Sequence, residues 1–244
     1  MLEELIKDKV YYKVFDRTHS DLTHQYTINN SEDLSQIDQV KKNISIILSE
    51  FNADKLLLLG QVHGNNVVCD EDFTFDNLPV GDAAVTLEKN IILAIRTADC
   101  VPILFANVDG SVIGAAHCGW RSAKLDIIDK VAKTMRQKRE KKLCAIIGPS
   151  IAQESYEVSG DFYQDFIQQS KAYKEFFIEA VKPNHYLFDL PAFVRLKLGE
   201  ADVKIIKHIT EDTYTMKDKY PSFRRHTHTG EEYYQSILSA IVIR

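Results

Sequence analysis

The sequence lacks the features that mark nucleic-acid-binding, exported and membrane-spanning chains. Its 30 Lys and Arg residues are outnumbered by 35 Asp and Glu residues, so the formal net charge is −5 and no basic surface for nucleic acid is expected. No apolar run reaches the roughly 18 residues that cross a bilayer. The opening segment MLEELIKDKVYYKVF has no apolar core of the signal-peptide kind. We therefore expect a cytoplasmic protein without nucleic-acid or membrane partners.

Cysteine is scarce, and its spacing argues against a disulfide or zinc-knuckle framework. The four cysteines are Cys69, Cys100, Cys118 and Cys144, and none forms a CxxC pair. Without an export signal, a disulfide framework is not expected. The thiols are therefore free, buried or metal-bound.

Internal repeats and Pro/Gly/Ser-rich linkers are also absent, which favours a single domain over residues 1–244. Apolar spacing predicts helices over residues 34–51, 125–136, 161–182, 189–198 and 231–243. It predicts strands over residues 55–62, 91–96, 101–106, 111–116, 143–147 and 203–206, with residues 66–69 extending the first of them. Because strands and helices do not alternate strictly, the predicted fold class is α+β, with sheets covered by helices.

The segment VPILFANVDGSVIGAA is typical of a β-hairpin around the dipeptide Asp109-Gly110. Asp-Gly favours a two-residue type I′ turn, and that turn sets the register of both strands. Since alternate residues share a face, Cys100 becomes a diagonal neighbour of His117 on one face. Cys118 points to the opposite face. The adjacent His117 and Cys118 are thus predicted to have different surroundings.

A third residue completes a candidate metal site. His63 ends another predicted strand, in the segment QVHG. Two histidines and one cysteine with an open fourth position suit catalytic zinc. The alternative that the pattern leaves open is that His63 and His117 are core residues with local hydrogen-bond partners.

Several segments in series resemble one known family. They are QVHG, DAAVT, TADCVPILF, GAAHCGWR, IGPSI and YEV, in that order. They resemble the YfiH-like family, named multicopper polyphenol oxidase or laccase-domain proteins. Its members are regarded as purine nucleoside phosphorylases with adenosine deaminase and methylthioadenosine phosphorylase activity. The resemblance implies an αββα-type layered sandwich and a metal held by His63, Cys100 and His117, with zinc expected and copper as the alternative.

That resemblance implies purine nucleosides and phosphate as substrates. Water activated by zinc deaminates nucleobases with the help of a carboxylate. Asp99 and Asp82 are the candidate carboxylates. We predict a catalytic role for Asp99, but strand alternation turns it away from Cys100, so a structural role beside the candidate ligand is the alternative.

Binding of the substrates is predicted for residues beside the three ligands. Ser122 is the expected N-cap of the following helix, whose N-terminus would attract phosphate. Arg121 is predicted to bind that phosphate by two hydrogen bonds and to act in catalysis. Arg96 shares the parity of Cys100 if the strand runs straight through. The predicted substrate-binding residues are Gln61, Arg96 and Trp120.

The two ends of the chain depart from the family pattern. Arg17 is present, but the expected Gly-Gly does not follow it. Near the other end, Arg224-Arg225 is followed by Thr229-Gly230-Glu231, with an acid where the family has an arginine.

Three further functions remain as alternatives. A copper-dependent polyphenol oxidase would need more histidine clusters than eight histidines supply here. A cysteine hydrolase or deamidase would use Cys100 as nucleophile and His117 as base. A metal-binding interaction module would have no catalytic activity.

Overall fold

The computed structural model describes residues 8–22, 26, 34–69, 78–230 and 235–244. The strands are β1 (Val10–Phe15), β2 (Lys55–Leu57), β3 (Val67–Cys69), β4 (Ala83–Thr86), β5 (Ile91–Thr97), β6 (Val101–Asn107), β7 (Ile113–Cys118), β8 (Leu143–Ile147), β9 (Glu157–Ser159), β10 (Phe177–Glu179), β11 (His185–Phe188), β12 (Val203–His208) and β13 (Ile237–Ile243). The α-helices are α1 (Leu34–Phe51), α2 (Trp120–Lys124), α3 (Ile127–Lys138), α4 (Gly160–Gln169), α5 (Leu190–Glu200) and α6 (Phe223–Thr229).

The described strands form two larger sheets and a small one. The four-stranded sheet has the order β1-β13-β5-β2, and the six-stranded sheet has the order β12-β8-β6-β7-β4-β3. The three-stranded sheet has the order β10-β11-β9. Both larger sheets are mixed. The pairs β2 with β5 and β12 with β8 are parallel, whereas β13 with β5 and β6 with β7 are antiparallel.

Alternation along β5 shows how the layers stack. Leu93 and Ile95 pack in a buried cluster with Leu104 and Ala115 of the six-stranded sheet. Ile92 and Ala94 pack on the opposite side, in a cluster that also contains residues of α1. Such an apolar pattern on both faces is typical of a strand buried between two layers.

The outer face of the six-stranded sheet is covered in the same way. Its buried residues share an apolar cluster with residues of α3 and α5. The order is therefore helix, sheet, sheet, helices, which confirms the predicted α+β fold of the αββα type. A single domain over residues 1–244 stays a prediction. Within the described ranges, no helix combines the length and the apolar character that a membrane crossing requires.

The hairpin register is as predicted, but its turn is not. Val101 pairs with Cys118 and Pro102 with His117. Type I′ requires a positive φ at both central residues, whereas only Gly110, at 66°, has one. The strands close instead at Asn107, whose N–H donates to Val112 O at 3.1 Å. The loop is longer by one residue on each side, so the pairing is unchanged.

Two predicted helices are wrong in part. Residues 237–243 form the central strand β13, because an apolar run of this length has no period that distinguishes strand from helix. Residues 231–234 lie outside the described residues. The predicted helix 161–182 ends as α4 at Gln169 and is followed by a 3-10 helix and by β10.

The segment after β5 crosses between the two larger sheets. β5 belongs to the four-stranded sheet and β6 to the six-stranded sheet, so the strand does not run straight through Cys100. β2 and β3 also lie in different sheets, which corrects the prediction that residues 66–69 extend the earlier strand. The loops between β2 and β3 and between β5 and β6 thus meet at one end of the sandwich.

We predict that Asn107→Ala lowers the free energy of unfolding by about 1–3 kcal/mol. Asn107 is fully buried, and its Oδ1 accepts hydrogen bonds from the N–H groups of Ser111 at 2.8 Å and Val112 at 3.1 Å. Urea denaturation measures the change. Asp109→Ala, at the half-exposed tip of the same loop, is the control and should cost less. Equal losses in both variants would contradict the assignment.

Candidate metal centre

Three side chains from separate elements converge at the end of the sandwich. One ligand atom each of His63, Cys100 and His117 lies within 4.8 Å of the others. His63 Nε2 is 3.9 Å from Cys100 Sγ, and the two imidazole centroids are 4.6 Å apart. An ion about 2.0–2.3 Å from both atoms would allow a separation of up to about 4.3 Å. The structure therefore brings together the three residues singled out from the sequence.

A buried carboxylate organises two of these residues. Asp82 accepts hydrogen bonds from the N–H groups of Val62 at 3.2 Å, His63 at 2.9 Å and Gly64 at 2.7 Å. The same carboxylate lies 2.8 Å from His117 Nδ1. His63 has a φ of 58°, in the left-handed region that non-glycine residues rarely adopt. The hydrogen bonds of Asp82 to this loop offset the cost of that conformation. Asp82 thus shapes the loop of His63 and directs Nε2 of His117 towards the cluster.

Asp82, Cys100 and His117 shift one another's pKa values towards the charged forms. Burial alone raises the pKa of Asp82, but His117 and the loop N–H groups outweigh it and hold that pKa below its usual value. Burial opposes the thiolate of Cys100, yet the two imidazoles lower its pKa to about 7. Burial opposes the charged form of His117, yet Cys100 and Asp82 raise its pKa. The arrangement favours a thiolate, which is the form that binds metals.

Gly119 permits the close approach of the ligand loops. A Cβ at this position would lie 2.9 Å from Cys100 Sγ and 3.2 Å from His63 Cδ2. Its φ of −74° is open to any residue, so space rather than backbone conformation calls for glycine here.

Cys118 faces away from the cluster. It is fully buried in the apolar layer between the six-stranded sheet and its helices. Burial is the main cause that raises its pKa, so it stays a neutral thiol. The pair His117 and Cys118 is divided between two faces, as the hairpin predicts.

The cluster opens into a cavity of about 400 Å³. That volume is within the range of small-molecule sites. Its walls include the aromatic residues Trp120, Tyr156 and Phe223 and the cationic residues Arg96 and Arg224. A cavity with aromatic faces and positive charge suits a planar base and an anion.

The three predicted substrate-binding residues all line this cavity. The carboxamide of Gln61 pairs with the backbone of Arg96, donating to its carbonyl at 2.8 Å and accepting from its N–H at 3.0 Å. Arg96 Nη2 donates to Leu59 O at 2.9 Å. Trp120 packs edge-on against Phe162, with ring centroids 4.9 Å apart. Their role in substrate binding stays a prediction.

Asp99 lines the cavity, but its carboxylate is engaged in the wall. Its Oδ1 accepts from Thr213 Oγ1 at 2.7 Å, and its Oδ2 accepts from the N–H of Arg224 at 2.6 Å. Its φ is 90°, which a second set of contacts must hold in place. The predicted catalytic role of Asp99 stays a prediction.

Arg121 and Ser122, the residues predicted to bind phosphate, do not lie where the sequence pattern suggests. Arg121 is exposed, and its guanidinium lies 5.0 Å from the Trp120 ring centroid, outside the residues that line the cavity. Its predicted catalytic role stays a prediction. Ser122 is not an N-cap: α2 begins at Trp120, directly after β7, with Gly119 as its cap. Ser122 is buried inside this short helix instead.

Sequence reasoning missed the structural importance of three residues. Asp82 was considered only for proton transfer, although an acid before the apolar run AAV signals a buried carboxylate that needs donors. Tyr156 and Arg224 lie in quoted motifs but had no role. Arg17, which the family pattern shares, donates to Lys217 O and to Gln235 Oε1. Glu231, where the sequence departs from that pattern, lies outside the described residues.

The protein is thus an αββα sandwich of the α+β class, with two histidines and one cysteine clustered in a cavity as candidate metal ligands. A model of the family described as multi-copper polyphenol oxidoreductase laccase matches residues 15–239. This chain belongs to that family. It is 48% identical over 244 residues to a purine nucleoside phosphorylase of Rickettsia conorii, with 100% of both chains covered.

More distant proteins are similar over most of the chain. The purine nucleoside phosphorylase YfiH of Escherichia coli is 29% identical over 196 residues, which are 79% of this chain and 78% of that protein. The crystal structure of a Neisseria meningitidis protein of the DUF152 family has a TM-score of 0.80 at 24% identity. The alignment covers 96% of this chain and 94% of that one, and it shows a shared fold.

We predict that Asp82→Asn lowers the free energy of unfolding at pH 7 by about 2–3 kcal/mol, because a buried charged acceptor with several donors is lost. The folded-state pKa of Asp82 is lowered, so its contribution is complete above the unfolded value of about 4 and is lost as the pH falls through the folded value. The difference from the wild type should therefore shrink in acid.

Urea denaturation of the metal-free protein between pH 3 and pH 7 measures this difference. The matched control is Asp129→Asn on the exposed surface of α3, where only an ion pair with Lys133 is lost. A pH-independent difference for Asp82→Asn, or an equal effect of the control, would contradict the role given to Asp82.

Proposed function

We propose that this chain is a purine nucleoside phosphorylase with a zinc ion held by His63, Cys100 and His117. The proposal extends to adenosine deaminase and methylthioadenosine phosphorylase activity, and to action in the cytoplasm. The observation that carries it is the convergence of these three side chains in a cavity, in a chain 48% identical to a named purine nucleoside phosphorylase.

The donor set fits a zinc ion. Thiolate and imidazole are the ligands that zinc prefers, and three of them leave one position open for substrate. His117 has Nδ1 engaged by Asp82, which leaves Nε2 for the metal. The lowered pKa of Cys100 supplies the thiolate at neutral pH. When bound, zinc supplies a Lewis acid at the floor of the cavity.

The rest of the cavity serves binding. Trp120 offers an aromatic ring for the purine, since a ring face binds a planar base by stacking. In phosphorolysis a phosphate oxygen forms a bond to C1′ of the ribose while the bond from C1′ to the purine nitrogen breaks. The purine leaves with a proton, and ribose 1-phosphate is the second product. The chain's part is to hold both reactants in line and apart from bulk water.

Asp99 fits a positioning role in this scheme. Its two oxygens join the loop of Cys100 to Thr213 and to the start of α6. The carboxylate therefore fixes the position of the cavity wall relative to Cys100, the candidate metal ligand. Deamination of adenosine, which consumes water and releases ammonia, would then draw on the same metal and cavity.

A cysteine hydrolase with Cys100 as nucleophile and His117 as base is the second candidate. Burial opposes the thiolate, yet His117 and His63 lower the pKa of Cys100 to about 7, and His63 Nε2 lies 3.9 Å from its sulfur. A reactive thiolate beside an imidazole is typical of such enzymes. The copper oxidase finds less support. Within the part of the chain that the structure describes, the only group of three candidate ligands is that of His63, Cys100 and His117.

We expect inosine and methylthioadenosine to yield free base only when phosphate is present, and adenosine to yield ammonia without it. The measurement is chromatography of products from purified protein of known metal content, with and without a chelator. Loss of activity on chelation and its return with Zn²⁺ are expected. Activity that survives chelation but is abolished by thiol alkylation would favour the hydrolase instead.

We also predict that Cys100→Ala lowers the affinity for zinc by at least about tenfold, and so the zinc retained per chain, because one of three candidate ligands is lost. Cys118→Ala is the matched control and should retain the metal, since Cys118 faces the apolar layer. Elemental analysis after dialysis measures both. Equal metal loss in the two variants would refute the assignment of Cys100 as a ligand.

A further inference from the structure

We propose that Arg224, held over the ring of Tyr156, is the subsite for the phosphate co-substrate. This inference rests on the proposed phosphorylase function and assigns one of its two substrates to a particular wall of the cavity. It differs from the sequence prediction, which gave this role to Arg121.

Arg224 is held through both its backbone and its guanidinium. Its backbone N–H donates to Asp99 Oδ2 at 2.6 Å. Its Nη1 donates to Glu157 O at 2.7 Å, and its guanidinium carbon lies 5.2 Å from the Tyr156 ring centroid. An arginine that is already ordered loses little conformational entropy when it binds a ligand. The guanidinium is therefore preorganised in the cavity wall.

The guanidinium retains donors for an anion. Within the described part of the chain, its guanidinium donates to Glu157 O through Nη1, which leaves its other N–H groups for a ligand. The guanidinium carbon lies 5.2 Å from the Tyr156 ring centroid, and a guanidinium over a ring can still donate hydrogen bonds from its N–H groups. Guanidinium groups bind phosphate by paired, charge-assisted hydrogen bonds.

Two other arginines lie near the cluster. Arg96 also lines the cavity and, like Arg224, donates one guanidinium hydrogen bond to a backbone carbonyl, that of Leu59 at 2.9 Å. Arg121 is exposed beside Trp120 and does not line the cavity. We assign the phosphate to Arg224 because its guanidinium, in the cavity wall, is held both by Glu157 O and over the ring of Tyr156.

The position also suits the reaction. Asp99, which accepts the N–H of Arg224, directly precedes the candidate ligand Cys100 in the chain. Arg224, Tyr156 and the three candidate ligands line one cavity. Phosphate on Arg224 would thus share the cavity with a nucleoside that contacts the metal side.

The test compares Arg224→Gln, Arg224→Lys and Arg121→Gln with the wild type, all in the metal-loaded protein. Calorimetric titration with inorganic phosphate gives the dissociation constant, and steady-state kinetics give the KM for phosphate and for inosine separately. Arg224→Gln should weaken phosphate binding by about 10- to 100-fold, the range for a charge-assisted hydrogen bond. The bound zinc and the KM for inosine should change by less than about twofold.

Two further variants separate positioning from general damage. Arg224→Lys keeps the charge but not the paired donors, so it should recover part of the phosphate affinity. Tyr156→Phe retains the ring face and should bind phosphate like the wild type, whereas Tyr156→Leu should weaken it. The Asp99 contact uses the backbone of Arg224, so each substitution at this position preserves it.

Failure of the subsite and failure of the function give different results. Phosphorolysis with an unchanged phosphate KM in Arg224→Gln, or loss of phosphate binding in Arg121→Gln instead, would overturn the subsite and leave the function standing. Loss of phosphate binding in Arg224→Gln without phosphorolysis of any nucleoside would support the subsite and overturn the function. A wild type that binds no phosphate would overturn the subsite.

Discussion

The candidate site depends on one buried carboxylate. Asp82 precedes β4 at the end of the six-stranded sheet, is fully buried, and accepts four hydrogen bonds, three from the loop of His63 and one from His117. Without these donors its charge would be too costly to bury, and without the carboxylate the donors would be unpaired. This mutual need links the loop between β2 and β3 to the end of β7 and brings two imidazoles to one side of Cys100.

The fold was predictable where hydrophobic pattern and length agree. The 18 residues of α1 were predicted with correct bounds, and the pairing of β6 with β7 followed from the position of one turn. The turn type was wrong because the Asn107 side chain closes the strands earlier than the Asp-Gly pair suggests. The run at 237–243 was misassigned because a uniformly apolar stretch carries no period, and only its pairing with β1 and β5 makes it a strand.

The candidate site was predictable in its ligands and less so in its surroundings. Strand alternation separates His117 from Cys118, and it holds because both lie inside one regular strand. It does not explain Arg96, which lines the cavity although the chain leaves one sheet for the other between β5 and β6. Long-range contacts such as Asp99 with Arg224 join residues far apart in sequence, and no local pattern encodes them. The cavity wall therefore required the structure.

The most direct test of the account is anomalous diffraction at the zinc edge from crystals of the metal-loaded protein. The account predicts one strong peak within coordination distance, about 2.0–2.3 Å, of His63 Nε2, Cys100 Sγ and His117 Nε2. A peak at another group of side chains, or a cluster without a peak in a phosphorolytically active crystal, would contradict it.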